Sequence, residues 1–187
     1  LNFFLERLVK KTLSKSYSII STSYKYVQSS NLLNKFSDKV IVIPPVLDDQ
    51  RFKNTLLTDN LIENKINILS VGRLVKYKGF ETLIRALSYL PENYRLTLIG
   101  KGPLLNKFKF IINNLKLSKR IDIITNANDD LLSENLINCN IFVLPSINKS
   151  EAFGVVLLEA LYFGRPLLTS NLFDSGVTEV NRENVTG

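Results

Sequence analysis

The chain has 187 residues, of which 45% are hydrophobic and 22% are charged, and its net charge is +7. These values exclude a disordered tail and predict a globular chain with a hydrophobic core. It contains no histidine and one cysteine, Cys139, which exclude a histidine base, a zinc cluster and an internal disulfide framework. We therefore expect no metal-centred chemistry, although a carboxylate-held magnesium ion stays open. The single thiol is typical of a reducing compartment.

The first quarter of the chain carries most of the net charge. Seven basic and two acidic side chains lie within residues 1–46. Residues 1–17 combine apolar and basic positions at helical spacing, which predicts a basic amphipathic helix. Such a helix either packs its apolar face on a sheet or lies on an anionic membrane. No apolar run long enough to cross a bilayer and no signal peptide is visible, so we expect a cytoplasmic location, at the inner face of the cytoplasmic membrane if the helix binds there.

Short apolar runs and helical patterns then alternate along the chain. Strands are predicted at residues 18–22, 40–46, 66–72, 95–102, 120–125, 140–146 and 166–170, and helices at 24–36, 79–90, 104–115 and 130–138. A polar segment at 48–60 is interpreted as a linker. Strands separated by helices form parallel sheets covered on both faces, so the pattern predicts an α/β fold. Ligands bind such sheets at the carboxyl ends of the strands.

Basic residues follow the strand at 66–72. Arg73 comes directly after it, and Lys76 and Lys78 lie in a short loop before the next helix. Because arginine can bind two phosphate oxygens at once and lysine acts as a point charge, this loop can bind a diphosphate. An ordinary solvated basic loop fits the same residues.

Residues 99–104, where the strand predicted at 95–102 ends and the next helix begins, read Ile-Gly-Lys-Gly-Pro-Leu. A dinucleotide-binding fingerprint needs a third glycine, and Leu105 occupies that position. Gly100 and Gly102 are therefore interpreted as a tight strand-to-helix turn, with backbone contact to a ligand as the second interpretation. The missing glycine argues against a nicotinamide oxidoreductase.

Residues 150–166, SEAFGVVLLEALYFGRP, are the hardest stretch to explain as core alone. They predict a helix that begins near Phe153 and Gly154. Glu151 then lies in the loop before the helix, and Glu159 lies about a turn and a half inside it. Free N–H groups at a helix start attract anions, and two carboxylates beside that start can accept hydrogen bonds from sugar hydroxyls. A solvent-facing side chain is the alternative for Glu159.

Four segments, in this order and spacing, resemble the nucleotide-binding domain of retaining glycosyltransferases of family 4, whose two facing Rossmann-like domains form the GT-B fold. They are SVGRLVKYKG, LIGKGP, FVLPS and SEAFGVVLLEALYFGRPLLTS. The final SGVTEVNRENVTG resembles the continuation seen in bacterial O-antigen and capsule-type hexosyltransferases of that family. The resemblance covers about residues 18–187. It implies that residues 1–46 are the last elements of an amino-terminal acceptor domain, and that 47–187 form a donor-binding domain incomplete at its C-terminal end.

The resemblance also implies roles for single residues. Arg73 and Lys78 hold the donor diphosphate, Glu151 meets the donor sugar and Glu159 the ribose, so Arg73, Lys78 and Glu151 are the implied catalytic residues. Ile124 lies by the base. The implied donor-binding set also contains Gly72, Gly100, Ala152, Phe153, Gly154 and Val155, with the backbone of residues 153–155 capping sugar and phosphate.

The implied activity is retaining, metal-independent hexosyl transfer from a UDP- or GDP-linked sugar to a glycan or lipid-linked acceptor in surface polysaccharide biosynthesis. No cofactor and no nucleic acid are implied, and the chain alone is expected to be an inactive donor-binding half. It departs from the family at Pro45-Val46, where Asn-Gly is common, and at residues 126–128, where a glycine-containing loop is common. A GT-B epimerase or phosphorylase, or a basic module that binds membranes or nucleic acids, stays open as an alternative.

Overall fold

The computed structural model of the protein describes residues 3–53 and 64–187 and contains two parallel sheets. A two-stranded sheet pairs β1 (Ile19–Ser21) with β2 (Val40–Val42). The five-stranded sheet is formed by β3 (Ile66–Val71), β4 (Tyr94–Ile99), β5 (Ile121–Ile124), β6 (Ile141–Leu144) and β7 (Leu167–Thr169). Its order is β5-β4-β3-β6-β7, and every neighbouring pair is parallel. The predicted α/β fold with a parallel sheet is confirmed.

The described residues include seven α-helices, and all but the first and the last connect successive strands. They are α1 (Phe3–Lys15), α2 (Tyr24–Ser29), α3 (Phe80–Leu87), α4 (Leu105–Asn114), α5 (Asp129–Asn138), α6 (Val156–Tyr162) and α7 (Val177–Val180). Short 3-10 helices lie at Leu33–Lys39, Asp49–Phe52 and Lys76–Lys78. Within the described ranges, no helix has both the length and the apolar character needed to cross a membrane.

The five-stranded sheet is buried on both faces, which explains why its strands are almost wholly apolar. Ile68 of β3 packs with α3 and α4, whereas the next residue, Leu69, packs on the opposite face with α5 and α6. Val143 and Phe142 of β6 divide between the same two faces. This alternation follows from the two-residue period of a strand.

The chain changes direction across the sheet between β3 and β6. It builds β3, β4 and β5 toward one edge and then returns to place β6 beside β3. A crevice forms at such a switch point, where the loops that follow the two neighbouring strands leave in opposite directions. The loops after Val71 and Leu144 therefore border the expected ligand crevice.

Three predicted elements of the first 60 residues differ from the structure. The predicted helix at 24–36 ends at Ser29, because Ser30 adopts an extended backbone (φ −88°, ψ 105°) before a separate 3-10 helix. The strand predicted at 40–46 ends at Val42, just before Ile43 and two prolines that cannot continue a ladder. The predicted linker contains the 3-10 helix at Asp49–Phe52, and its residues 54–60 lie outside the described ranges.

Helix α7, which was not predicted, ties the first part of the chain to the five-stranded unit. Glu179 accepts hydrogen bonds from the Ser23 hydroxyl (3.3 Å) and from the Lys25 backbone N–H (2.8 Å). The Lys25 ammonium also donates to Thr178 (2.8 Å). The domain boundary at 46/47 stays a prediction, but residues on both sides of it are joined by these bonds.

Candidate functional site

The loops that follow β3 and β6 lie directly against each other. Ile147 donates its N–H to the carbonyl of Tyr77 at 2.8 Å. Gly79, in the left-handed region with φ 69°, packs so closely that a Cβ there would lie 1.9 Å from the Pro145 carbonyl oxygen. A side chain at this position would force the two loops apart. Lys78 lies between Tyr77 and Gly79 in the chain, so the contact of the two loops places it beside the loop that carries Glu151.

Lys78 and Glu151 form a buried ion pair. The ammonium Nζ lies 2.5 Å from Oε2 of Glu151, and the two side chains are only 10% and 9% exposed. The hydroxyl of Ser146, which is fully buried, donates to the same carboxylate oxygen at 2.8 Å. A Cβ on Gly72 would lie 3.1 Å from Cε of Lys78, so glycine leaves room for the lysine chain to pass. The pair satisfies the rule that buried charges are paired and hydrogen-bonded.

The backbone of the Glu151 loop is held from its other side by residues just before α7. Ser175 donates its hydroxyl to the carbonyl of Glu151, and the N–H of Gly176 donates to the carbonyl of Ala152 at 2.9 Å. A Cβ on Gly176 would lie 2.8 Å from the ring of Phe153. Both the side chain and the main chain of Glu151 are therefore fixed.

Helix α6 begins later than predicted. Its first residue is Val156 rather than Phe153 or Gly154, because Gly154 has a left-handed backbone (φ 78°) that cannot belong to the helix. Glu159 consequently lies in the first turn of α6, not a turn and a half inside it. Within the described ranges, the N–H groups of residues 153–155 donate no hydrogen bond to the protein.

Glu159 is held by an arginine from the segment before β3. Arg51 Nη1 lies 3.0 Å from Oε1 of Glu159, and its Nη2 lies 2.5 Å from Oδ1 of Asp129. The Arg51 side chain is 37% exposed, whereas that of Glu159 is 11% exposed. Burial raises the pKa of the Glu159 carboxyl, and the charge of Arg51 opposes that rise. The hydrogen bond from Arg51 lowers the pKa of Asp129.

Both carboxylates line one cavity of about 590 Å³ at the switch point of the sheet. This volume lies within the range of small-molecule sites. The cavity brings together eight of the predicted site residues: Gly72, Lys78, Glu151, Ala152, Phe153, Gly154, Val155 and Glu159. Thr22 and Pro45, from the first 46 residues, also border it.

Three predicted site residues do not line this cavity. Arg73 is exposed at the end of β3, and its side chain forms no hydrogen bond or ion pair with the described residues. Gly100 packs against the end of β3, where a Cβ would lie 1.8 Å from the Gly72 carbonyl oxygen. This contact favours the interpretation of Gly100 as a tight turn. Ile124 ends the edge strand β5 and packs against the hydrophobic core.

Three parts of the site were not predicted from the sequence: Arg51, Ser146 and Ser175. Arg51 lies in the segment interpreted as a polar linker, yet the neighbouring Phe52 is buried in the core. Asp48 caps the short helix by accepting from the N–H of Gln50 at 3.2 Å. A capping residue followed by an apolar side chain was the signal that could have placed this segment on the fold.

Comparison with known proteins gives a family match over most of the chain. The family described as "Glycosyl transferases group 1" matches residues 53–187. O-antigen chain mannosyltransferase C of Escherichia coli is 32% identical over 96% of this chain and 48% of its own length. D-rhamnosyltransferase WbpZ of Pseudomonas aeruginosa is 27% identical over 96% of this chain and 47% of its own length. The chain thus spans about half the length of these curated relatives.

Solved structures share the fold. Anabaena HepE in complex with UDP and glucose has a TM-score of 0.77 at 19% identity, over 96% of this chain and 50% of its own. The lipopolysaccharide outer core galactosyltransferase WaaB has a TM-score of 0.71 at 18% identity, over 93% of this chain and 48% of its own. These similarities confirm the predicted GT-B type of fold. With the match over residues 53–187, they establish that the chain belongs to the group 1 glycosyl transferases.

Proposed function

We propose that this chain provides the donor site of a retaining hexosyltransferase that uses a UDP- or GDP-linked sugar. The observation that carries the proposal is the convergence of Lys78, Glu151 and Glu159 on one cavity at the switch point of the sheet. HepE has been solved with UDP-glucose as well as with UDP and glucose, which supports a nucleotide sugar as ligand. The O-antigen relative supports a glycan or lipid-linked acceptor in surface polysaccharide biosynthesis.

The proposed chemistry is electrostatic and needs no metal ion. As the bond between sugar and diphosphate loosens, negative charge grows on the leaving diphosphate. Lys78, Arg73 and the N–H groups of residues 153–155 are the positive groups that stabilise this charge. Arg73 is exposed beside the cavity, so its role requires its side chain to turn toward the donor.

The two carboxylates have separate proposed tasks. Glu151 uses Oε2 for Lys78 and Ser146, which leaves Oε1 as an acceptor for hydroxyls of the donor sugar. Glu159 uses Oε1 for Arg51, which leaves Oε2 for the ribose hydroxyls. Contact of Ile124 with the base stays a prediction.

The acceptor site and the general base belong, in this proposal, to a part of the enzyme outside residues 1–187. We expect the chain alone to bind a donor without transferring the sugar. A GT-B epimerase or phosphorylase would use a similar donor site, and turnover by the longer enzyme separates these activities.

The contact of residues 1–17 with an anionic membrane is a further part of the proposal. Leu5 and Leu8 are about half exposed on α1, beside the basic Arg7 and Lys11. An exposed apolar and basic helix face binds anionic lipid surfaces. Cosedimentation with anionic but not neutral vesicles is expected, and equal sedimentation with both would contradict this contact.

Calorimetric titration with UDP, GDP and their hexose conjugates tests the donor site. We expect the wild-type chain to bind one base series, and the Arg73→Ala and Glu159→Ala variants to bind it about tenfold or more weakly. Arg85→Ala is the matched control, since Arg85 pairs with Glu81 on the exposed face of α3. Absence of binding by the folded wild-type chain, or unchanged binding by both site variants, would overturn the donor-site assignment.

A further inference from the structure

Arg51 joins the cavity to a part of the structure that the family match does not include. It lies two residues before the matched range of 53–187 and borders the cavity together with Glu159. Its guanidinium donates from Nη1 to Glu159 at 3.0 Å, and from Nε (3.1 Å) and Nη2 (2.5 Å) to Asp129. Since the guanidinium is planar and rigid, fixing its Asp129 side also fixes the direction of the group that reaches Glu159.

The backbone that carries Arg51 is anchored to the helix that carries Glu159. Phe52 is buried and packs edge-on against Phe163, which follows α6, at 5.1 Å between ring centroids. It also contacts Tyr162, the last residue of α6, at 5.6 Å. The Arg51 guanidinium carbon lies 5.4 Å from the centre of the Phe52 ring, within cation–π range. The arginine and the glutamate are therefore positioned by one packed unit.

We propose that Arg51 is a positioning residue for the donor: it holds the Glu159 side chain turned so that Oε2 accepts hydrogen bonds from the donor nucleoside, while Asp129 holds Arg51. This role rests on the proposed function, because it assigns Arg51 to the same donor site. It differs from direct binding of the diphosphate by Arg51, which would require the guanidinium to leave two carboxylates.

The charges around Glu159 explain why such a residue is needed. Burial disfavours the ionised carboxylate, and Asp129 adds repulsion. Arg51 is the positive group that acts on Glu159 in the opposite direction. Lys78 lines the same cavity but is paired with Glu151. Without Arg51, the Glu159 carboxyl binds a proton at higher pH and loses its capacity as an acceptor.

The test compares Arg51→Gln, Arg51→Lys, Asp129→Asn, Glu159→Gln and the control Arg85→Gln in calorimetric titrations with UDP and GDP. Arg51→Gln is expected to weaken binding about tenfold and Asp129→Asn less, because the latter removes only an exposed partner. Arg51→Lys should recover part of the loss. The loss in Arg51→Gln should grow as the pH falls from about 8 to about 5.5, as Glu159 protonates.

Two further measurements separate positioning from other roles. The Arg51→Gln/Glu159→Gln double variant should bind no more weakly than Glu159→Gln, because Arg51 acts through that side chain. Binding of the 2′,3′-dideoxy nucleotide should hardly respond to Arg51→Gln. Additive losses and an equal loss for the dideoxy nucleotide would show direct diphosphate binding and overturn the positioning role.

The titration of the wild-type chain distinguishes a wrong role for Arg51 from a wrong donor site. If the wild-type chain binds UDP or GDP and Arg51→Gln binds it equally well at both pH values, the role of Arg51 is wrong and the donor site stands. If the wild-type chain binds neither nucleotide nor sugar conjugate, the donor site is wrong and the role of Arg51 falls with it.

Discussion

The two carboxylates of the cavity are held in contrasting ways. Glu151 lies in a loop, but its side chain is buried with Lys78 and Ser146, and its main chain is fixed by Ser175. Glu159 lies on a helix, yet the side chain of its partner Arg51 is 37% exposed. The contrast is that Glu151 has buried partners, whereas Glu159 pairs with an arginine that is more exposed to solvent.

This difference has a chemical consequence. A buried ion pair keeps its charges apart from solvent, so removing either partner leaves an uncompensated charge. An ion pair with a solvent-exposed partner is weakened by water. Glu151 is therefore expected to act as a fixed part of the site, whereas the state of Glu159 depends on pH and on Arg51.

The largest expected effect is on stability, from Lys78→Met. The variant leaves Glu151 buried without its cation, so the free energy of unfolding should fall by about 3–5 kcal/mol in chemical denaturation. Lys10→Met is the matched control, because Lys10 pairs with Glu6 on the exposed face of α1 and should change stability by less than about 1 kcal/mol.

The Lys78→Met/Glu151→Gln double variant completes this test. It should recover most of the lost stability, because no unpaired charge is then buried, but it should not recover nucleotide-sugar binding. Equal losses for Lys78→Met and Lys10→Met would contradict the distinction between the buried pair and a surface pair.

A smaller effect is expected from Ser175→Ala, which removes the hydroxyl that fixes the Glu151 carbonyl. The unfolding free energy should fall by about 1–2 kcal/mol, because a buried acceptor loses its donor. Ser70→Ala is the matched control, since the buried Ser70 hydroxyl donates to the Val143 carbonyl within the sheet. Both variants should lose similar stability, but only Ser175→Ala should weaken nucleotide-sugar binding.

The two serine variants also distinguish a loss of binding caused by general destabilisation from one caused by a displaced Glu151 loop. If Ser70→Ala weakens nucleotide-sugar binding as much as Ser175→Ala does, the loss reflects general destabilisation. The account of a loop fixed around Glu151 would then be wrong.

The fold could be predicted from the sequence because its main signals are local. The buried strands of the five-stranded sheet are apolar runs, and the helices between them have clear periodicity. The ends of elements were less predictable. Helix α6 starts at Val156, because Gly154 packs under Leu144 in a left-handed conformation that the residue pattern does not specify.

The candidate site was predictable only where its residues belong to motifs. The motifs indicate Lys78 and Glu151 separately, but their ion pair spans 73 positions of the sequence. Arg51 and Glu159 are 108 positions apart, and Arg51 lies in a polar segment without a recognisable motif. Contacts of this kind are set by the strand order, so they became visible only in the folded chain.

The most direct test of the two-carboxylate account compares each glutamate with two ligands, the nucleoside diphosphate and its sugar conjugate. Calorimetric titration should show that Glu151→Gln weakens the sugar conjugate more than the diphosphate, because the proposal assigns Glu151 to the sugar. Glu159→Gln should weaken both ligands by the same factor, because the proposal assigns Glu159 to the nucleoside that they share. Equal effects of Glu151→Gln on both ligands, or a larger effect of Glu159→Gln on the sugar conjugate, would contradict the account.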